Sequence, residues 1–189
     1  RSDRTEGVSG WEHDHLNQML SRIQSTDLAA YHDADQFQKL LADFLGVTVD
    51  ALTITSGSSE AIQMVFETYL DEGTKVLALE PSYGLYEVFA AKCGAELLRF
   101  PYADDLSLDI DGLVRRISDA KPQLVVIANP NQPTGTALDE HDLRRIASSA
   151  VTAGAILLVD EAYFHFSPVT AIKLCSEYPN VVVSQTFSK

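Results

Sequence analysis

Residues 123–163 read QLVVIANPNQPTGTALDEHDLRRIASSAVTAGAILLVDEAY. Gln123–Ala128 sets apolar side chains in succession, as a strand buried on both faces requires. Two prolines and a glycine in Asn129–Gly135 predict an ordered loop. Asp139–Val151 reads as a helix followed by Gly154, and Ala155–Val159 is a second continuous apolar strand. Strand, helix and strand in this order imply a mostly parallel sheet with helices on both faces. In such sheets ligands bind at the carboxyl ends of the strands, so the residues just after each strand are where chemistry is expected.

The alternation continues on both sides. Towards the C-terminus, Asn180–Val183 is the last strand. Towards the N-terminus, Ile110–Ile117 is a helix, Glu96–Phe100 a strand, Leu85–Cys93 a helix ended by Gly94, Lys75–Leu79 a strand and Ser58–Tyr69 a helix. Leu52–Thr55 reads as a short strand, Asp35–Leu45 as a helix stopped by Gly46, and Trp11–Ile23 as a helix with Leu16, Met19, Leu20 and Ile23 at helical spacing. Arg1–Gly10 is a polar arm. The expected organisation is an arm and helix over residues 1–30 and the N-terminal part of a three-layer α/β/α domain over residues 31–189.

Composition narrows the function classes. The 189 residues hold 27 acids against 14 Lys and Arg, a net charge of -13, so there is no basic surplus to neutralise a nucleic-acid backbone. No apolar run approaches the roughly 20 residues that span a bilayer, and residues 1–10 lack the apolar core of a signal peptide. Cys93 and Cys175 stand apart, with no zinc spacing and no disulfide framework. A cytoplasmic protein with neither a nucleic-acid nor a membrane partner is the expectation. No metal site is expected. His13, His15 and His32 lie in a polar region, His165 between Phe164 and Phe166 reads as structural, and Asp104, Asp105, Asp109 and Asp111 read as a solvated loop and helix start.

The chemistry gathers at four strand ends. Ser56-Gly57-Ser58-Ser59-Glu60 leads into a helix, whose first N–H groups and dipole suit a phosphate; the same residues also read as a capping motif, with Ser58 as the cap. In Asn129–Gly135, three side-chain amides can donate to a ligand oxygen, or the segment is simply a rigid turn. Asp160, at the end of a buried strand, needs a cation, a metal or a protonated ring nitrogen as partner, unless it caps a helix. Lys189 follows Thr186 and Ser188 and is either a nucleophilic amine or a surface residue. One cofactor uses all four: pyridoxal phosphate. It needs donors for its phosphate, a carboxylate to keep its pyridine nitrogen protonated, neutral donors for its phenolic oxygen, and a lysine for its aldehyde.

Asn129–Gly135, Asp160-Glu-Ala-Tyr163 and Thr186-Phe-Ser-Lys189, in this order and spacing, resemble the class I/II aminotransferases of the fold-type I pyridoxal phosphate enzymes, and within them the histidinol-phosphate aminotransferase group. Tyr31-His32-Asp33, Leu45-Gly46-Val47, Ser56–Glu60 and Pro81-Ser-Tyr-Gly-Leu-Tyr86 add to the resemblance, which spans roughly residues 31–189. It implies that Lys189 forms the internal Schiff base and shuttles a proton between the substrate Cα and the cofactor C4′. It implies further that Asp160 pairs with the pyridine nitrogen. Tyr163, helped by the amide of Gln132, would bond the phenolic oxygen, and Tyr83 would stack on the ring. Gly57, Ser58, Ser59, Thr186 and Ser188 would hold the phosphate, while Tyr31 would reach the cofactor phosphate of a neighbouring subunit in a homodimer. The implied reaction moves an amino group from an amino acid or amino-phosphate to a 2-oxo acid. Decarboxylation of the threonine-phosphate decarboxylase kind is the alternative on the same loops. A nucleotide-binding module ranks below both, for want of Gly-x-Gly-x-x-Gly and the Gly-Lys-Ser/Thr loop. The chain departs from the family at Gln132, where Asn is usual, at His32, where Pro is usual, and at Arg4–Gly7, where an Asn-Glu-Asn-Pro-like segment is usual. Family members continue well beyond the lysine, so the chain reads as the N-terminal piece of a longer protein.

Overall fold

A computed structural model describes residues 12–29 and 34–189, and only the backbone of residues 12 and 13. Tyr31 and His32 lie outside the described residues, as does the His13 side chain. The chain divides into two compact units between Ile54 and Thr55.

The first unit holds α1 (Glu12–Leu20), α2 (Ser25–Ala29) and α3 (Asp35–Leu45). The helix expected over 11–23 ends at Leu20, and a separate turn of helix starts where the Asp27 carboxylate accepts from the Gln24 N–H at 2.8 Å. Gly46, at φ +69°, ends α3 with its N–H on α3 carbonyls. Leu52–Thr55 is not a strand. Val49–Ala51 forms a 3₁₀ turn, Leu52 is extended, and its carbonyl is taken by Gln38 Nε2 at 2.6 Å. Extended backbone becomes a strand only through a ladder partner, and none of the described strands pairs with it.

The second unit alternates α4 (Ser58–Tyr69), β1 (Lys75–Glu80), α5 (Leu85–Lys92), β2 (Glu96–Pro101), α6 (Ile110–Ala120), β3 (Leu124–Ala128), α7 (Glu140–Ala153), β4 (Ile156–Glu161), α8 (Leu174–Glu177) and β5 (Val181–Gln185). Helix starts follow the sequence closely, because Asp109 and Asp139 cap α6 and α7 through the N–H groups of Gly112 and Asp142. The strands pair in parallel in the order β2-β1-β3-β4-β5. Val76, Ala78, Leu124, Val126 and Leu158 pack with Ile62, Phe66, Tyr86 and Phe89 of α4 and α5. Their sequence neighbours Leu77, Leu79, Val125, Ile127, Leu157 and Val159 pack with Leu113, Ile117, Leu143, Ile146 and Leu174 of α6, α7 and α8. The period of two along each strand thus builds the three layers.

Two details place the site. β1 is followed outward by β2 on one side and by β3 on the other, so the order reverses between β1 and β3 and opens a crevice at their carboxyl ends. β4 and β5 run further than their apolar runs, because the ladder continues through Asp160↔Ser184 and Glu161↔Gln185. Asp160 and Glu161 are therefore strand residues pointing to opposite faces. No described helix is long and apolar enough to cross a membrane.

Candidate active site

The α4 start is built by Gly57, whose φ of +83° and ψ of 174° suit glycine and few other residues. Gly57, not Ser58, occupies the N-cap position, and no side chain caps the helix. The capping reading of Ser58 fails because Ser58 is already helical. The Glu60 carboxylate instead accepts from the Ser56 N–H, and the first N–H groups of α4 keep the positive end of the dipole uncapped by side chains. Beside this turn, Thr186 Oγ1 accepts from the Ser188 N–H at 3.2 Å and lies 3.0 Å from Ser188 Oγ. A Cβ on Gly57 would come within 3.8 Å of Thr186 Oγ1, so the two turns are close neighbours.

Asp160 is 4% exposed. Its Oδ2 accepts from the Tyr86 hydroxyl at 2.7 Å, and its Oδ1 from the Ala162 N–H at 3.2 Å and the Ser184 hydroxyl at 3.3 Å. Burial pushes its pKa up, and these donors pull it back. Burial, with the Asp160 charge second, holds the Tyr86 phenol well above its ordinary range, so Tyr86 stays a donor. The reading of Asp160 as a helix cap fails, since it lies within β4.

The amide loop divides its labour. Asn129 and Asn131 are buried and serve the loop itself. Asn129 Oδ1 accepts from the Leu138 N–H at 2.7 Å. Asn131 donates to the Pro81 carbonyl and to Thr134 Oγ1, each at 2.9 Å, and accepts from Ser82 at 2.6 Å, tying the β1 and β3 ends together. Only Gln132 reaches the cavity, so the expectation of three ligand-facing amides reduces to one. Tyr163 OH donates to Gln132 Oε1 at 2.9 Å, which directs the Gln132 NH₂ group elsewhere. Tyr83 OH lies 3.1 Å from Ser59 Oγ, and its ring meets Tyr86 edge to face at 5.5 Å.

These groups line one cavity of about 200 Å³. Gly57, Ser58, Ser59, Tyr83, Gln132, Asp160, Tyr163, Thr186, Ser188 and Lys189 all border it, with Lys189 Nζ 5.5 Å from the centre of the Tyr163 ring. Tyr31 is outside the described residues. Sequence reasoning missed Tyr86 and Ser184. Tyr86 lies in the first turn of α5, three residues after Tyr83, which precedes the helix, and Ser184 stands opposite Asp160 in the ladder; the first belongs to the Pro81–Tyr86 stretch that carries the resemblance, the second needed the register. The four aspartates read as solvated do have protein partners in three cases: Asp105 accepts from Ser107, Asp109 caps α6, and Asp111 pairs with Arg145. The arrangement can hold an anion at the α4 start, a cationic ring nitrogen at Asp160, and a planar group between them against Tyr83.

The family model for class I and II aminotransferases matches residues 14–189. A histidinol-phosphate aminotransferase of Chlorobium phaeovibrioides is 40% identical over 152 residues, which cover 80% of this chain and 41% of that protein. A crystal structure of histidinol-phosphate aminotransferase from Sinorhizobium meliloti in complex with pyridoxal-5'-phosphate superposes with a TM-score of 0.78 at 26% identity, over 97% of this chain and 49% of that one. A decarboxylase from Sulfurospirillum multivorans superposes with a TM-score of 0.76 at 27% identity, over 97% of this chain and 52% of that one. The chain spans about half the length of the curated relatives it matches. With the family model covering nearly its whole length, the chain belongs to the class I and II aminotransferases.

Proposed function

We propose that the complete protein is a pyridoxal-phosphate-dependent aminotransferase, a cytoplasmic homodimer that moves an amino group between an amino acid or amino-phosphate and a 2-oxo acid. One observation carries the reading: a lysine amine, a buried carboxylate and an uncapped helix start border the same small cavity. The residues fit the cofactor, because a buried Asp160 raised by desolvation regains its charge against a cationic ring nitrogen, and the Gly57 turn leaves room and N–H groups for a phosphate. Bound there, pyridoxal phosphate supplies the electron sink that lets a substrate Cα–H bond break.

The residues divide the remaining work. Ser58 and Ser59 N–H groups with Thr186 and Ser188 hydroxyls hold the phosphate. Asp160 holds the proton on the ring nitrogen, and Tyr86 and Ser184 hold Asp160 in place. The Gln132 NH₂ group, left free by the Tyr163 bond to Gln132 Oε1, donates to the phenolic oxygen, and the Tyr163 hydroxyl joins it by turning its one proton from Gln132 to that oxygen. Tyr83 covers the ring face, and Tyr31 of a second copy completes the phosphate site. Lys189 Nζ would tether the cofactor at rest and, once the substrate amine has displaced it, would take the Cα proton as a free amine.

The purified protein with added pyridoxal phosphate develops the visible absorbance of a lysine-bound cofactor and transfers amino groups to a 2-oxo acid, and Lys189→Ala abolishes both. A colourless wild type, or a Lys189→Ala variant that still transaminates, refutes the reading. Decarboxylation stays as the second reading because a decarboxylase superposes at a TM-score of 0.76; carbon dioxide released in place of a 2-oxo acid product selects it.

A further inference from the structure

Glu161 is fully buried, does not border the cavity, and points to the opposite face of β4 from Asp160. An ionisable group in such a place costs stability unless donors meet it. Here they come from two other segments. Oε1 accepts from the Ala171 N–H at 2.5 Å, and Oε2 accepts from the Thr170 hydroxyl at 2.7 Å and from Gln185 Nε2 at 2.8 Å. Thr170 and Ala171 end the segment that begins with Ala162 and Tyr163. Gln185 ends β5, one residue before Thr186, and the turn that follows carries Ser188 and Lys189. Three segments that each deliver a cavity group therefore meet at one carboxylate behind the cavity: β4 with Asp160, the 162–171 segment with Tyr163, and the β5 end with Lys189. Burial raises the Glu161 pKa, and these hydrogen bonds lower it again.

We propose that Glu161 is a positioning residue for the reaction, tying the Tyr163 segment and the Lys189 turn to the strand that carries Asp160. The role rests on the pyridoxal phosphate reading and adds to it a group that touches neither cofactor nor substrate.

Glu161→Ala and Glu161→Gln in the complete protein test it through three readouts: amide hydrogen exchange without cofactor, the pH titration of the bound-cofactor absorbance, and kcat. In Glu161→Ala, exchange quickens in residues 162–171 and 185–189 while β1 and β3 keep their protection. The titration midpoint of the absorbance moves, because it reports how the Lys189 nitrogen sits against the ring, and kcat falls about ten- to hundredfold, the cost of an ångström-scale misplacement. Glu161→Gln recovers most of all three, since its carbonyl can take the Ala171 N–H while the Thr170 hydroxyl and Gln185 amide turn to meet its NH₂ group. If Glu161→Ala does not fold, Glu161→Asp, one methylene short of its donors, carries the same comparison. Unchanged exchange in both segments overturns the proposal, and so does quickened exchange with wild-type titration and kcat, which marks a tie of structure alone. Both failures occur in a wild type that binds cofactor and transaminates. A wild type that takes up no pyridoxal phosphate instead overturns the functional reading and the positioning role together.

Discussion

At the scale of single residues, the balance at Asp160 decides how the site behaves. Desolvation raises its pKa, and the Tyr86 hydroxyl at 2.7 Å is the largest opposing influence. A carboxyl whose folded pKa is raised contributes stability that is fully present below its unfolded pKa and is lost as pH rises through the folded value. Tyr86→Phe removes the donor, raises the folded pKa further and widens that window. Thermal unfolding of the cofactor-free variant then shows a steeper loss of stability from acid to neutral pH than the wild type shows, on top of a loss of about 1–3 kcal/mol for the missing hydrogen bond to a buried charge. In the holoenzyme, the acid limb of the pH–activity profile moves to higher pH. A pH dependence that matches the wild type in both measurements rules this balance out. Gln132 makes a different point. Its longer stem, compared with the Asn usual in the family, does not keep it from the cavity, because Tyr163 anchors its Oε1.

At the scale of elements, the α4 start works because its cap residue has no side chain. Gly57→Ala leaves room for the methyl, 3.8 Å from Thr186 Oγ1, but forces an L-residue to φ +83°, a cost of about 1–3 kcal/mol. The expected result is a lower melting temperature together with weaker retention of pyridoxal phosphate. Ser58→Ala, whose side chain does not cap the helix, lowers the melting temperature much less. Equal melting temperatures for the two variants contradict this account. The elements were largely legible: α3 and α4 have the bounds their periodicity sets, and Asp139 and Gly154 bracket α7 as caps. Leu52–Thr55 departs from expectation because four alternating residues carry a strand pattern but pair with none of the described strands. The extra strand residues of β4 and β5 were missed because pairing, not polarity, decides where a ladder stops.

At the scale of the whole molecule, the two faces of the sheet serve different ends. Leu158 packs against α4 and α5, which deliver the helix start and Tyr86, while its neighbour Leu157 packs on the side of α6, α7 and α8. Leu157→Ala and Leu158→Ala each leave a cavity in a fully buried position and each cost about 2–5 kcal/mol by denaturant unfolding. Only Leu158→Ala, measured under conditions where both variants remain folded, also weakens cofactor binding, because the gap lies beneath the elements that hold Asp160 and the phosphate. Equal cofactor affinities for the two variants break the link between that face and the site.

The sequence by itself determined the alternation of strands and helices, the parallel sheet, and the residue types at four strand ends, because apolar period, caps and glycine stops are local properties of the chain. Only the tertiary structure decided which of those residues share a cavity. It turned Asn129 and Asn131 inward and Gln132 outward, made Gly57 the cap in place of Ser58, and brought Tyr86 to Asp160 across 74 residues. It also placed Glu161 behind the site, where three segments meet. Such contacts depend on strand register and on which face of the sheet each helix covers, and both follow from how the apolar surfaces pack, not from any pattern within one segment.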